Sequence, residues 1–189
     1  EQNLEFQNIL INNLAGFRHP DFTQTLVAKL VADSALSTRL ACLGALAGDT
    51  HESLPNLYRN LINASKSEPP LVEKALANLE SLTPEQSNGI WMTLAATESL
   101  PVAVRMRAIR NLGENKYEAS ESVLESILEE EPIVLRRATR SALHTIKPQR
   151  YPDYDGYGRI PLVLASAGLG ASLLALTTDH LLFVITCHD

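Results

Sequence analysis

The chain reads as all-α, built as a row of helical hairpins, and three observations predict it. A short unit recurs four times, with Ala41, Ala75, Ala108 and Ala138 each set just after a basic residue (Arg39, Lys74, Arg107, Arg137). Each is followed four places on by Ala or Leu, and the anchors lie 34, 33 and 30 residues apart. That period holds two helices and two turns. Prolines at 20, 70, 101 and 132 each stand just ahead of an apolar-periodic run, where the missing N–H costs nothing. Before residue 150 no segment alternates at period two.

Taken in order, Leu4, Ile9, Leu10, Ile11 and Leu14 form a first helical stripe that Gly16 caps. Its Leu-Ala-Gly ending matches the ends of later second helices, so the stripe reads as the back half of a repeat whose front half precedes it. The chain also starts without Met inside a periodic run, which points to a removed leader or earlier repeats. Leu26, Val27, Leu30 and Val31 line the next helix, with a break at Ser34, and Leu36, Leu40, Leu43 and Leu46 line its partner. A second pair follows from Leu54, Leu57, Tyr58, Leu61 and Ile62, then Leu71, Val72, Ala75, Leu76 and Leu79. Thr83-Pro84-Glu85-Gln86 predicts a capping box opening a helix with Ile90, Trp91, Leu94 and Ala95. Val102, Val104, Ala108, Ile109 and Leu112 line its partner, which Gly113 is expected to stop. The last pair uses Val123, Leu124, Ile127 and Leu128, then Ile133, Leu135, Ala138, Ala142 and Ile146, closed by Pro148.

Composition supports such an array. The 189 residues are 45% hydrophobic but only 5% aromatic, as expected where Ala, Leu and Val do the packing. A net charge of −6 argues against a general binder of phosphate backbone, so nucleic acid is an unexpected partner. Cys42 and Cys187 are too few for a disulfide framework or a four-thiolate zinc site. Cys42 falls on a core face.

The run Pro101-Val102-Ala103-Val104-Arg105-Met106-Arg107-Ala108-Ile109-Arg110-Asn111-Leu112-Gly113, with its looser copies, resembles the HEAT-type α-hairpin repeat. The resemblance covers about residues 4–147, and several units lack the Asp common between the helices of that family. It implies a right-handed α-α superhelix of about four hairpins over residues 1–148. Second helices would line the concave face, and the typical ligand would be another protein. A tyrosine-rich connector, 149–159, and an apolar appendage, 160–189, complete the expected organisation.

Nine of the sixteen Lys and Arg fall between Arg105 and Arg150. Arg39, Lys74, Arg107 and Arg137 keep the ladder position of the HEAT-type repeat and are expected to tie neighbouring repeats together. Arg105, Arg110, Arg136 and Arg140 are the candidates for binding an acidic partner segment. Glu121, Glu125 and Glu129 share one helix face and read as a solvated outer surface. The five histidines form no His-x-x-x-His pair. His180, Cys187, His188 and Asp189 read as a chain end rather than a metal site, and no metal or cofactor is expected. There is no Gly-rich phosphate loop, nucleophile elbow or convergent acid–base pair, so enzymatic activity is not expected.

Residues 160–178 carry no charge, a length that nearly crosses a hydrocarbon core of ~30 Å. Gly168, Gly170 and Pro161 favour instead a cap folded over the last repeat. The functional reading is therefore a non-enzymatic protein-interaction scaffold. A membrane-tethered adaptor using 160–185 and a HEAT-like-repeat enzyme, lyase-like for bilins or DNA-repair-like, are the alternatives. The compartment is open, with a cytoplasmic chain as the default.

Overall fold

The computed structural model describes residues 2–32, 35–65, 67–129 and 132–152, together with 176–178 and 181–183. Among them nine helices follow one another: α1 (Gln2–Asn13), α2 (Pro20–Ala32), α3 (Leu36–Ala45), α4 (Leu54–Ala64), α5 (Pro69–Glu80), α6 (Pro84–Ala96), α7 (Val102–Glu114), α8 (Glu121–Ile127) and α9 (Ile133–Ile146). Proline sets several starts as expected. Pro20, Pro69 and Pro84 open their helices, while Pro101 and Pro132 are the residues just before α7 and α9. Each fixes φ near the helical value and lacks an N–H that no helix end would satisfy.

Consecutive helices pair as hairpins, α2 with α3, α4 with α5, α6 with α7 and α8 with α9. The second helices also meet one another, α1 on α3, α3 on α5 and α7 on α9, and the first helices do so at α4–α6 and α6–α8. The result is a helical bundle whose packing is compatible with an α-helical repeat. α1 occupies the place of a second helix, as its Leu-Ala-Gly ending suggests. Gly16 (φ +94°) and Gly48 (φ +70°) both turn the chain in the left-handed region after a Leu-Ala pair.

Two local expectations are corrected. Gly113 does not end its helix, which runs on to Glu114. A Cβ at Gly113 would fall 2.9 Å from Ala142 Cα, so the missing side chain lets α7 and α9 approach backbone to side chain. At the start of α6, Thr83 makes no side-chain cap bond. Gln86 reaches outward, its Nε2 donating to Thr50 O at 2.9 Å, and ties the helix start to the turn before α4.

The core runs unbroken between the rows, from Leu30 and Leu43 through Leu54, Leu71, Leu79, Trp91 and Ile109 to Leu135 and Leu143. Each fully buried aliphatic side chain contributes about 1.5–3 kcal/mol of transfer free energy. Buried polar groups are tied to backbone. Asn78 Nδ2 donates to Leu43 O at 2.7 Å, and Tyr58, its phenol pushed up to about 12 by burial, donates to Leu46 O. Cys42 is buried, as its place on a core face predicts.

Residues 176–178 and 181–183 form a short antiparallel ladder, Leu176 opposite Phe183 and Thr178 opposite Leu181. β-Branched Thr and aromatic Phe suit extended backbone. The other residues of 153–189 lie outside the described residues, and with them most of the connector, the 160–185 membrane alternative and the His180, Cys187, His188, Asp189 group. Among the described residues no helix is long and apolar enough to cross a membrane, and no three His, Cys, Asp or Glu gather as for a metal.

Candidate interaction surface

α7 and α9 meet closely at Gly113 and Ala142, and a groove lies between the same two helices. Its volume is about 500 Å³. Met106, Val134, Ala138 and Ala142 give it an apolar floor, with Arg110, Glu114 and Arg137 among its polar residues. Both helices are second helices, so the groove lies on the surface where the sequence places its candidate arginines.

Those four candidates separate. Arg105 is 4% exposed, and its Nε donates to Ala95 O at 2.8 Å. Ala95 sits in the last turn of α6, where helix carbonyls lack an intrahelical donor. Arg105 therefore caps a helix end with its charge while its methylenes take a core position. Alignment on Ala108 and Ala138 shows why: thirty residues on, Arg105 corresponds to buried Leu135, not to Arg136. The expectation that Arg105 is a candidate for binding an acidic partner segment is corrected on this ground.

Arg110 and Arg140 do match at that spacing, and both are exposed. Among the described residues neither is held in a salt bridge. Arg136 is half-buried. Arg137, expected to serve as a ladder residue, lines the groove with Arg110. Spacing alone does not single out Glu114, Met106 or Val134. The available signal is that Met106 and Val134 are apolar residues off the main stripe of their helices, Val134 40% exposed.

Ladder contacts are made by Arg39 and by Arg107. Arg39 Nη1 pairs with Glu68 at 2.8 Å, linking α3 to the start of α5. Arg107 bridges α7 to α5, with Nε and Nη2 donating to the two oxygens of Glu80 at 2.5 and 2.6 Å and Nη1 to Glu73 at 2.8 Å. Hydrogen bonds from Arg107 hold the Glu80 carboxyl below the usual carboxylate range against the opposing effect of partial burial. Lys74 enters no such pair among the described residues.

The acidic face of α8 is not simply solvated. Glu121 accepts from Lys147 Nζ at 2.5 Å, Arg150 Nη1 at 2.6 Å and Tyr151 Oη at 2.8 Å. Glu125 accepts from Arg150 Nη2 at 2.9 Å and Tyr151 Oη at 2.5 Å. His144 Nδ1 donates to Tyr151 O at 2.8 Å, and the Arg150 guanidinium lies 5.3 Å from the Tyr151 ring centre. The chain after α9 is thus latched onto α8. The Lys147 hydrogen bond, with that of Tyr151, lowers the Glu121 carboxyl, while desolvation and the two carboxylates raise the Tyr151 phenol.

Comparison with family models, curated proteins and solved structures finds no match to this chain. The surface is accordingly read from its own chemistry.

Proposed function

We propose that the array is a HEAT-type, right-handed α-α superhelix of about four hairpins serving as a non-enzymatic protein-interaction scaffold. Its binding face is the second-helix surface at α7 and α9, and its partner presents an acidic segment with apolar side chains. The observation that carries this reading is the groove of about 500 Å³ with an apolar floor and Arg110 and Arg137 along it. Arg140, one turn further along α9 and exposed, extends the positive charge. Arg39–Glu68 and Arg107–Glu80, bridging successive second helices, support the HEAT-type reading of the ladder. Guanidinium groups beside apolar surface favour a carboxylate-bearing peptide, which they hold through paired N–H donors.

The test is fluorescence anisotropy with a labelled acidic peptide of mixed Glu and Leu. The double variant Arg110→Glu, Arg140→Glu is expected to weaken binding at least tenfold with helicity unchanged by circular dichroism. Binding should also weaken as salt screens the charges. Equal affinity of parent and variant would overturn the reading. Preference for duplex DNA over the peptide would overturn it as well.

A further inference from the structure

Every second helix after α1 has a first helix packed on it, and α9 carries buried residues at i, i+4, i+8 and i+11. They are Leu135, Thr139, Leu143 and Ile146, of which the first three are wholly buried and the last 9% exposed. The same spacing in α3 and its following turn falls on Thr38, Cys42, Leu46 and Asp49, again all buried. In α1 and its following turn it falls on Phe6, Leu10, Leu14 and Phe17. Those four are 66%, 50%, 38% and 58% exposed. The register is fixed independently by the Leu14-Ala15-Gly16 and Leu46-Ala47-Gly48 endings, each with its glycine at positive φ.

An apolar stripe of two Phe and two Leu at helical spacing is not what a solvated helix face carries. Its opposite side is already in use, since α1 packs on α3 and buries Ile11 there. The stripe instead continues the interface that α2 forms with α3 and α8 with α9.

We propose that Phe6, Leu10, Leu14 and Phe17 are a docking surface for an amphipathic helix, seated on α1 as α2 is seated on α3. The occupant presents Leu or Phe at i, i+4 and i+7 or i+8, the spacing at which α2 carries half-buried Phe22 and buried Leu26 and Leu30. It runs antiparallel to α1 and extends the row of first helices by one place. It is a helix rather than an extended strand because the stripe has helical spacing and α1 offers no free backbone edge.

The experiment places a copy of residues 20–35 directly ahead of Leu4 in the full chain, in the register in which those residues precede Leu36. Tethering makes the local concentration of the added helix high. Amide hydrogen exchange across α1 is expected to slow at least tenfold. The gain should vanish when Phe6→Ser and Leu10→Ser are introduced in α1, or when the copied Leu26 and Leu30 are changed to Ser. Unchanged exchange in the graft would overturn the proposal. So would sedimentation of the parent chain as a dimer whose dissociation speeds exchange in α1, because a second copy would then already cover the stripe.

Discussion

The junction between α5 and α7 and that between α7 and α9 both join neighbouring second helices, but they are built from opposite chemistry. Between α7 and α9 the contact is backbone against side chain, Gly113 under Ala142. Between α5 and α7 long charged side chains reach across, Arg107 to Glu73 and Glu80 with Asn111 donating to Glu80 at 3.3 Å. The difference teaches how one array can be both tight and divided. A contact made by a missing Cβ rests on close packing that salt does not touch, whereas an ion pair weakens with salt and acid. The groove lies on the tight junction, between α7 and α9.

Breaking the tight junction should have the largest effect. Gly113→Leu drives a side chain into Ala142 and is expected to cost about 3 kcal/mol in urea unfolding, with loss of acidic-peptide binding. An unchanged midpoint would mean that the helices are free to part. Arg105→Ala comes next, at about 2 kcal/mol, because it strips a donor from a buried carbonyl of α6. Peptide affinity at saturating stability should stay the same, which separates this core arginine from Arg110. Arg107→Ala acts on the charged junction and is worth about 1 kcal/mol at low salt, less in 1 M NaCl. A salt-independent loss would place its role in packing.

Acid sharpens the same contrast. Glu80 and Glu121 titrate below their ordinary value when folded, so their contribution is fully present above the unfolded carboxyl pKa, about 4.3. It is lost as pH falls through the lower folded values. Stability measured from pH 6 downward should drop, and Arg107→Ala should remove part of that dependence while Gly113→Ala leaves it intact. The smallest effect is expected from Tyr151→Phe, which deletes the phenol shared by Glu121 and Glu125. Faster amide exchange near residues 147–151, with the rest of the chain unaltered, would report the loosened latch.

Much of the array was legible in the residues. Apolar stripes at helical spacing, prolines at helix starts and the recurring Ala anchors marked four hairpins and the odd helix before them, because these signals act within a few residues of themselves. Arg39 and Arg107 were legible as ladder residues for the same reason, their place in the repeat being local. Arg105 was misplaced because its neighbour Arg107 makes the segment look like one basic strip, and a one-residue change of register moves a side chain from surface to core. Glu121 and Glu125 looked solvated because their cationic partners lie more than twenty residues away, beyond α9.

By itself, then, the sequence determined the helices, their pairing order and the exposed arginines at 110 and 140, since propensity, turn chemistry and amphipathic spacing are short-range properties. Tertiary structure alone decided that Gly113 is a contact and not a stop, that Arg105 is buried, and that α7 and α9 enclose a groove. Each of these depends on which atoms two distant helices bring within a few ångströms, and no spacing within one helix carries that information.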